Sequence, residues 1–345
     1  MKIAVVQMRY PQGHRRLDQE YLRILSKDHE LLIVDDGKYF TDDFCSVIGA
    51  ERIHVHPLMV NRIELLQRIL HYINLTFILL KLKLKRKKYD ALLFLNIHNA
   101  LYYYKWLPKK KVVLFHHQDI DAALSYAPYS EKLKNESNRF RHICLAEFIK
   151  NGLIEEFDVN KDNTFVVYQP LVFDVKDDNP KAKENLLIGI GRSTDETIIQ
   201  KMVEYDKKLY ECGCNTFIMR SKIIEYSGHV LTVIKGYMPR DEYESLYDRA
   251  KVSVVTYPPG YKLRYSGIID DSLSKGLAVF ANENPCSSYF ASIYPSCVRV
   301  FKTPEELWDM VQQELPNPNR DELSLFLEKH SAETVRKQFK KVFEA

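Results

Sequence analysis

Several common features are missing from this sequence. No apolar run is long enough to cross a bilayer, because charged residues interrupt the longest one, at residues 65–88. The six cysteines are scattered, and the one close pair, Cys212 and Cys214, has no second pair at the spacing of a zinc site. Residues 1–8 contain no small-residue cleavage site, so we expect a cytoplasmic protein.

Charge and composition exclude further classes of protein. The formal net charge is +4, which is too small to indicate nucleic acid as a partner. Hydrophobic residues make up 46% of the chain and charged residues 28%, so the composition is globular rather than disordered. A chain of 345 residues is long enough for two domains that each bury a core.

Short apolar runs alternate with helical patterns along the chain, which is typical of parallel α/β architecture. The polar stretch at residues 174–184 interrupts this alternation and is predicted to be a linker. We therefore predict two Rossmann-like, doubly wound domains facing a cleft, at residues 1–172 and 173–328, and a terminal helix at 329–345 that crosses back to the first domain. The predicted strands are Ile3–Met8, Glu30–Asp35, Arg52–His56, Ala91–Asn96, Val112–His116, Ile143–Ala146, Phe165–Gln169, Leu186–Ile190, Thr216–Met219, Leu231–Ile234, Val252–Thr256, Ala278–Ala281 and Val298–Phe301.

The stretch at residues 252–279 carries the strongest functional signal. An apolar strand leads through a Pro-Pro-Gly loop and the cations Lys262 and Arg264 to Ser266 and Gly267, which open an amphipathic helix. The free N–H groups and the positive dipole end of such a helix favour an anion, for example a diphosphate. The alternative is an ordinary strand–helix unit in which the glycine only allows close packing.

Asp271 lies about one helical turn further along, where a carboxylate can bind the two hydroxyls of a ribose. The sequence Arg264-Tyr265-Ser266-Gly267, followed by Asp271 and Gly276-Leu277-Ala278-Val279, resembles the donor-binding segment of GT-B glycosyltransferases. It is similar in particular to the large retaining bacterial family that builds surface polysaccharides (glycosyltransferase family 4-like). The resemblance implies a GT-B fold, a nucleoside diphosphate sugar as donor and a contact between Asp271 and its ribose. The first of the family's two glutamates is absent here.

Loops that follow the strands of an open α/β sheet are where ligands bind. By resemblance, Gly191 and Arg192 match a family segment whose arginine binds the donor diphosphate, and Ser193 beside them is a further donor-binding candidate. The basic loop at residues 220–222 is expected near the phosphates or, alternatively, as a solvated turn. The resemblance also implies that Tyr237 and Met238 line the nucleotide base, although an ordinary proline-initiated helix start explains them equally well.

In the first half, Gly13 and the neighbouring His14 occupy the position of the family's N-terminal glycine loop, which covers the donor phosphates or the acceptor. His116 and His117 end a predicted strand, where the resemblance implies a histidine that faces the donor sugar. Two adjacent histidines leave the register open, so both are candidates.

Residues 65–88 have two interpretations. They form either a core helix with a solvated basic end or, through the cations of Lys81–Lys88, a site that binds anionic phospholipid on the inner face of the cytoplasmic membrane.

The predicted function is transfer of a sugar, with retention, from a nucleoside diphosphate sugar to a glycan or lipid-linked acceptor during assembly of a bacterial surface glycan. Helix N-termini with Arg192 and Arg264 would stabilise the departing diphosphate, and His116, His117 and Arg264 are the catalytic candidates. We expect no metal and no cofactor besides the donor, because Asp119 and Asp121 form the relevant Asp-x-Asp spacing in the other half of the chain. The alternatives are a catalytically silent binding subunit and a nucleotide-sugar epimerase of the same fold.

Overall fold

A computed structural model describes residues 1–7, 14–56, 64–84, 88–107, 111–117, 119–172, 183–191 and 194–344. The chain forms two compact units, the first made of residues 1–172, 263–265 and 331–345, and the second of residues 173–262 and 266–330. The sequence-based division placed residues 263–265 in the second domain. They group with the first unit because the Leu263 amide donates a hydrogen bond to Asp121 (2.6 Å).

Seven parallel strands form the sheet of the first unit: β1 (Lys2–Gln7), β2 (Glu30–Asp35), β3 (Glu51–His54), β4 (Ala91–Asn96), β5 (Lys111–Phe115), β6 (Arg141–Cys144) and β7 (Thr164–Val166). Their spatial order is β3-β2-β1-β4-β5-β6-β7. The central strand β4 is buried along its whole length, as expected for a parallel sheet covered by helices on both faces. The strand order reverses between β1 and β4, where open α/β sheets bind ligands.

The helices of this unit join successive strands. Among the described residues of the chain, no helix is both long and apolar enough to cross a membrane. The helices up to β7 are α1 (Arg15–Leu25), α2 (Asp42–Val47), α3 (Glu64–Leu84), α4 (Asp119–Ser125), α5 (Ala127–Glu136) and α6 (Glu147–Phe157), with 3-10 turns at Asn99–Tyr103, Ser137–Arg139 and Lys161–Asn163.

The second unit contains its own sheet: β8 (Leu186–Gly189), β9 (Thr216–Ser221), β10 (Tyr226–Ser227), β11 (Leu231–Lys235), β12 (Val252–Val255), β13 (Ala278–Asn282) and β14 (Val298–Phe301). Their order is β10-β11-β9-β8-β12-β13-β14, and it reverses between β8 and β12. All pairs are parallel except β10 with β11. Each strand predicted from the sequence overlaps an observed one. β10 was missed, because two residues are too short to show an alternating pattern.

The remaining helices are α7 (Glu196–Glu211), α8 (Arg240–Arg249), α9 (Gly267–Ser274), α10 (Pro285–Ile293), α11 (Pro304–Gln312), α12 (Arg320–Lys329) and α13 (Ala332–Glu344). The terminal helix α13 groups with the first unit. Its Arg336 guanidinium donates two hydrogen bonds to the Asp28 carboxylate, at 2.7 and 2.6 Å, and the Phe339 ring packs on Tyr21 with 5.7 Å between ring centroids.

Candidate functional site

A pocket opens at the carboxyl edge of the sheet in the second unit. Its volume is about 230 Å³, and it is lined by residues that end or follow three neighbouring strands, β8, β9 and β11: Gly191, Thr194, Arg220, Ser221, Lys222 and Gly236. The two cations make this pocket suitable for an anion. Gly236 has φ of +86°, a left-handed conformation that favours glycine. Apart from its chain neighbours, no heavy atom of the described residues lies within 4 Å of the place a β-carbon would take.

The N-terminus of α9 lies next to Gly191. Ser266 caps this helix, because its hydroxyl accepts a hydrogen bond from the Ile269 amide at 3.2 Å, and Gly267 is the first helical residue. A β-carbon built on Gly191 would lie 3.4 Å from Ile268, so the loop after β8 contacts the first turn of α9. The fold therefore brings together three predicted donor-binding residues at the reversal between β8 and β12: Gly191, Ser266 and Gly267.

Glu196, in the first turn of α7, organises the wall of the pocket. Its carboxylate accepts hydrogen bonds from the Lys222 amide (2.9 Å) and from the hydroxyls of Thr194 (3.3 Å) and Ser221. These bonds set the backbone that carries Lys222. Sequence reasoning missed Glu196, because an acidic residue in the first turn of a helix is ordinary.

Asp271 accepts a hydrogen bond from the Tyr243 hydroxyl at 3.0 Å. Burial, together with Tyr247 and Asp271, raises the pKa of Tyr243 well above its ordinary value, so the phenol keeps its proton and remains a donor. The carboxylate predicted to bind a ribose is thus oriented by a tyrosine of α8 that the sequence did not connect with it.

The two predicted base contacts have different surroundings. The Tyr237 side chain is 80% exposed. Met238 is 4% exposed and packs in a core cluster with Leu246 and Tyr247, so its side chain is enclosed by apolar neighbours. Tyr237 is therefore the one of the pair that offers an aromatic surface.

The basic pair after β12 is divided between the two units. Lys262 is exposed and groups with the second unit. Arg264 groups with the first unit, where its Nε lies 3.3 Å from an Asp121 carboxylate oxygen. The sequence placed Arg264 beside the donor phosphates without assigning it this carboxylate partner.

His116 lies in a buried chain of hydrogen bonds in the first unit. Its Nδ1 lies 2.6 Å from Asp119 Oδ2 and its Nε2 lies 2.8 Å from His142 Nδ1, while His142 Nε2 lies 2.9 Å from the Ser137 carbonyl oxygen. Burial lowers the pKa of His142 to about 3, so that ring is neutral and donates from Nε2. His116 then donates to His142 from Nε2. Both ring nitrogens of His116 are therefore hydrogen-bonded to side chains of the first unit.

His117 has different neighbours. Its ring stacks on Phe115 and meets the His14 ring edge-on, with 4.9 Å between the centroids of the two imidazoles. Burial is the main cause that holds the pKa of His117 well below its ordinary value, and the charges of His14 and His116 lower it further. The Asp119 carboxylate accepts a hydrogen bond from the His117 amide at 3.1 Å and so fixes this turn. His14, which is half-buried, is the more accessible imidazole of the pair.

A buried carboxyl group lies at the reversal between β1 and β4. The Asp18 side chain accepts hydrogen bonds on Oδ2 from Gln7 (3.1 Å), Asn96 (3.2 Å) and the Tyr39 hydroxyl (2.6 Å). Burial outweighs these three donors and raises the pKa of Asp18 to about 7. The sequence offered no signal for this cluster, because its members are far apart in the chain.

Three predicted donor-binding residues, Gly13, Arg192 and Ser193, lie outside the described residues, and their roles stay predictions. Within the described part of the chain, no group of three or more His, Cys, Asp or Glu side chains is arranged to hold a metal ion.

Solved structures share this architecture along the whole chain. A glycosyltransferase from Rickettsia africae is 12% identical, with a TM-score of 0.67 over 99% of this chain and 97% of its own. Anabaena Alr3699/HepE, solved in complex with UDP, is 11% identical, with a TM-score of 0.70 over all of both chains.

UDP-GlcNAc 2-epimerase from Neisseria meningitidis, solved bound to UDP-GlcNAc, is 13% identical, with a TM-score of 0.59 over all of both chains. At these identities the likeness shows the fold, which is the GT-B fold predicted from the sequence. No family model and no curated protein sequence matches the chain.

Proposed function

We propose that this protein transfers a sugar from a nucleoside diphosphate sugar to an acceptor hydroxyl. The observation that carries the proposal is the cationic pocket of the second unit. Arg220 at the end of β9 and Lys222 just after it line this pocket with Gly191, whose loop contacts the first turn of α9. An anion with two phosphates suits this combination of cations and helix N–H groups.

The donor is held in the second unit in this proposal. The diphosphate lies at the N-terminus of α9 and in the pocket, Asp271 binds the ribose and Tyr237 contacts the base. Alr3699/HepE was crystallised with UDP and with UDP-glucose, so uridine diphosphate sugars are the first donors to test.

Catalysis is mainly electrostatic in this proposal. The α9 N-terminus and the two pocket cations stabilise negative charge as it develops on the departing diphosphate. The first unit binds the acceptor, whose hydroxyl proton passes to the departing diphosphate, and His116 and His117 remain the catalytic candidates of that unit. Retention and a role in bacterial surface glycan assembly are proposed from the family resemblance. Independence of metal ions is proposed because the Asp-x-Asp spacing of Asp119 and Asp121 lies in the other half of the chain.

A binding experiment tests the donor site. We expect Lys222→Ala and Arg220→Ala each to weaken UDP binding roughly 10- to 100-fold in isothermal titration calorimetry, the effect of losing one charge-assisted hydrogen bond. The matched control is Lys207→Ala, which removes a cation that is 78% exposed on α7 of the same unit. Equal affinities for all four proteins would refute this placement of the donor.

A turnover experiment tests the reaction. Incubation with a UDP-sugar and candidate acceptors should release free UDP, at a rate that EDTA leaves unchanged. A changed sugar that remains attached to UDP would identify an epimerase instead, and tight binding without turnover of any kind would identify a binding subunit.

A further inference from the structure

The outer face of α3 in the first unit is apolar. The opposite face of this helix packs into the unit through Leu75, Ile78 and Leu82, which are at most 2% exposed. Most of the strongly exposed side chains of this helix are apolar, unlike those of an ordinary surface helix, and Thr76 and Lys83 are the exposed polar residues among them. Leu66 (40% exposed), Ile69 (48%), Phe77 (60%), Leu80 (48%) and Leu84 (72%) form what we call the outer face.

The outer face is a continuous stripe. With the half-buried Ile73, its residues follow one another at intervals of three or four positions, which keeps them on one side of a helix. From Leu66 to Leu84 the stripe runs roughly 27 Å along the helix axis. An exposed apolar surface of this extent marks an interaction site in a folded protein.

The charge along this segment is mainly positive. From Glu64 to Asp90 the sequence contains seven Lys or Arg residues, and its two acidic residues are the first and the last of the segment. Lys83 and Lys88 are exposed, whereas Lys81 donates a hydrogen bond to the His54 carbonyl. A second copy of the chain would bring the same positive charge to a shared interface, so like charges oppose self-association through this face.

An exposed tryptophan flanks the same helix. Trp106 is 69% exposed, and its ring meets that of Tyr72 of α3 with 5.7 Å between ring centroids. Tryptophan and tyrosine side chains favour the boundary between lipid headgroups and acyl chains, where one end is apolar and the other hydrated.

We propose that the outer face of α3 binds the surface of anionic phospholipid bilayers. The helix lies in the plane of the membrane interface, with Phe77, Leu80 and Leu84 at the acyl boundary and the neighbouring cations against lipid headgroups. The sequence indicated only the basic run as a membrane contact. The structure adds the exposed apolar side chains, and the inference does not depend on the proposed function.

Vesicle sedimentation of the full chain tests this inference. Vesicles of phosphatidylcholine with about one third phosphatidylglycerol should bind the protein at least tenfold more tightly than vesicles of phosphatidylcholine alone. Phe77→Asn combined with Leu84→Asn should reduce binding to the anionic vesicles at least tenfold. The matched control is Ile223→Asn, which changes an apolar residue of similar exposure (66%) in the second unit and should leave binding unchanged.

Tryptophan fluorescence supplies a second readout of binding. The chain has two tryptophans, and Trp308 is 6% exposed, so a blue shift on adding anionic vesicles reports on Trp106. Unchanged thermal unfolding of the double variant would show that it is folded. Equal binding of the double variant and the control would overturn the inference, as would a dimer at micromolar concentration that Phe77→Asn converts to a monomer.

Discussion

Two buried aspartates show how the arrangement of donors decides the protonation of a carboxyl group. Asp206 is 1% exposed, and its two oxygens accept hydrogen bonds from the amides of His229, Val230 and Leu231. Burial raises the pKa of Asp206, but these bonds outweigh it and the net pKa is lowered. At Asp18 the donors all meet Oδ2, and Oδ1 has no hydrogen-bond partner among the described residues, so burial prevails.

The raised pKa of Asp18 predicts a stability that falls with rising pH. The folded protein keeps this proton up to about pH 7, whereas the unfolded chain keeps it only up to the ordinary pKa of 3.8. The free energy of unfolding therefore falls as the pH rises from the lower value to the higher one. Asp18→Asn keeps an acceptor and removes the charge. We expect the unfolding free energy of the variant, relative to that of the wild type, to rise by roughly 3 kcal/mol from about pH 5 to about pH 8.

Urea unfolding of both proteins at the two pH values measures this gain. Asp206→Asn is the control, since its lowered pKa gives no gain over the same interval. A pH-independent difference between the Asp18 variant and the wild type would contradict the assignment of a buried neutral carboxyl.

Among the elements, α6 contains a glycine that lies against the Leu263 side chain. Gly152 lies inside the helix, where alanine is ordinarily more stable by about 1 kcal/mol. A β-carbon at this position would lie 2.3 Å from the Leu263 side chain. We expect Gly152→Ala to destabilise the protein by about 1–3 kcal/mol, because overpacking outweighs helix propensity.

A second substitution separates overpacking from other causes. Leu263→Ala removes the methyl groups that the new side chain meets, so the double variant should recover part of the loss. The coupling is measured by urea unfolding in a double-mutant cycle. Additive effects of the two changes would show that Leu263 does not pack against α6.

For the whole molecule, the assembly of the first unit from distant parts of the chain has consequences for stability. Phe339 of α13 is 2% exposed and packs on Tyr21 of α1. Phe339→Ala should cost about 3–5 kcal/mol, the usual effect of removing a buried aromatic side chain. Phe77→Ala is the matched control, because that ring is 60% exposed and its removal should change the unfolding free energy little. A similar loss in both variants would contradict this packing.

Much of the architecture was predictable because it depends on local patterns. Alternation of apolar runs with helical segments identified the parallel strands, and Ser266-Gly267 correctly marked the start of a helix that ends before Gly276. The same local patterns do not identify which side chains contact one another across the fold. Glu196, Tyr243 and Asp121 make the contacts that orient the predicted site, and nothing in the sequence connects them with Lys222, Asp271 or Arg264.

Hydrophobic periodicity, helix caps and glycine positions act over a few residues, so the residue order alone establishes the strands, the helices and the glycine-opened N-terminus of α9. Burial, and the contacts between side chains that are distant in the chain, exist only after folding. The burial of Asp18, the pairing of Arg264 with Asp121 and the separate surroundings of His116 and His117 belong to this second class. Burial and donor geometry are properties of the packed molecule, because each depends on atoms that residue order does not bring together.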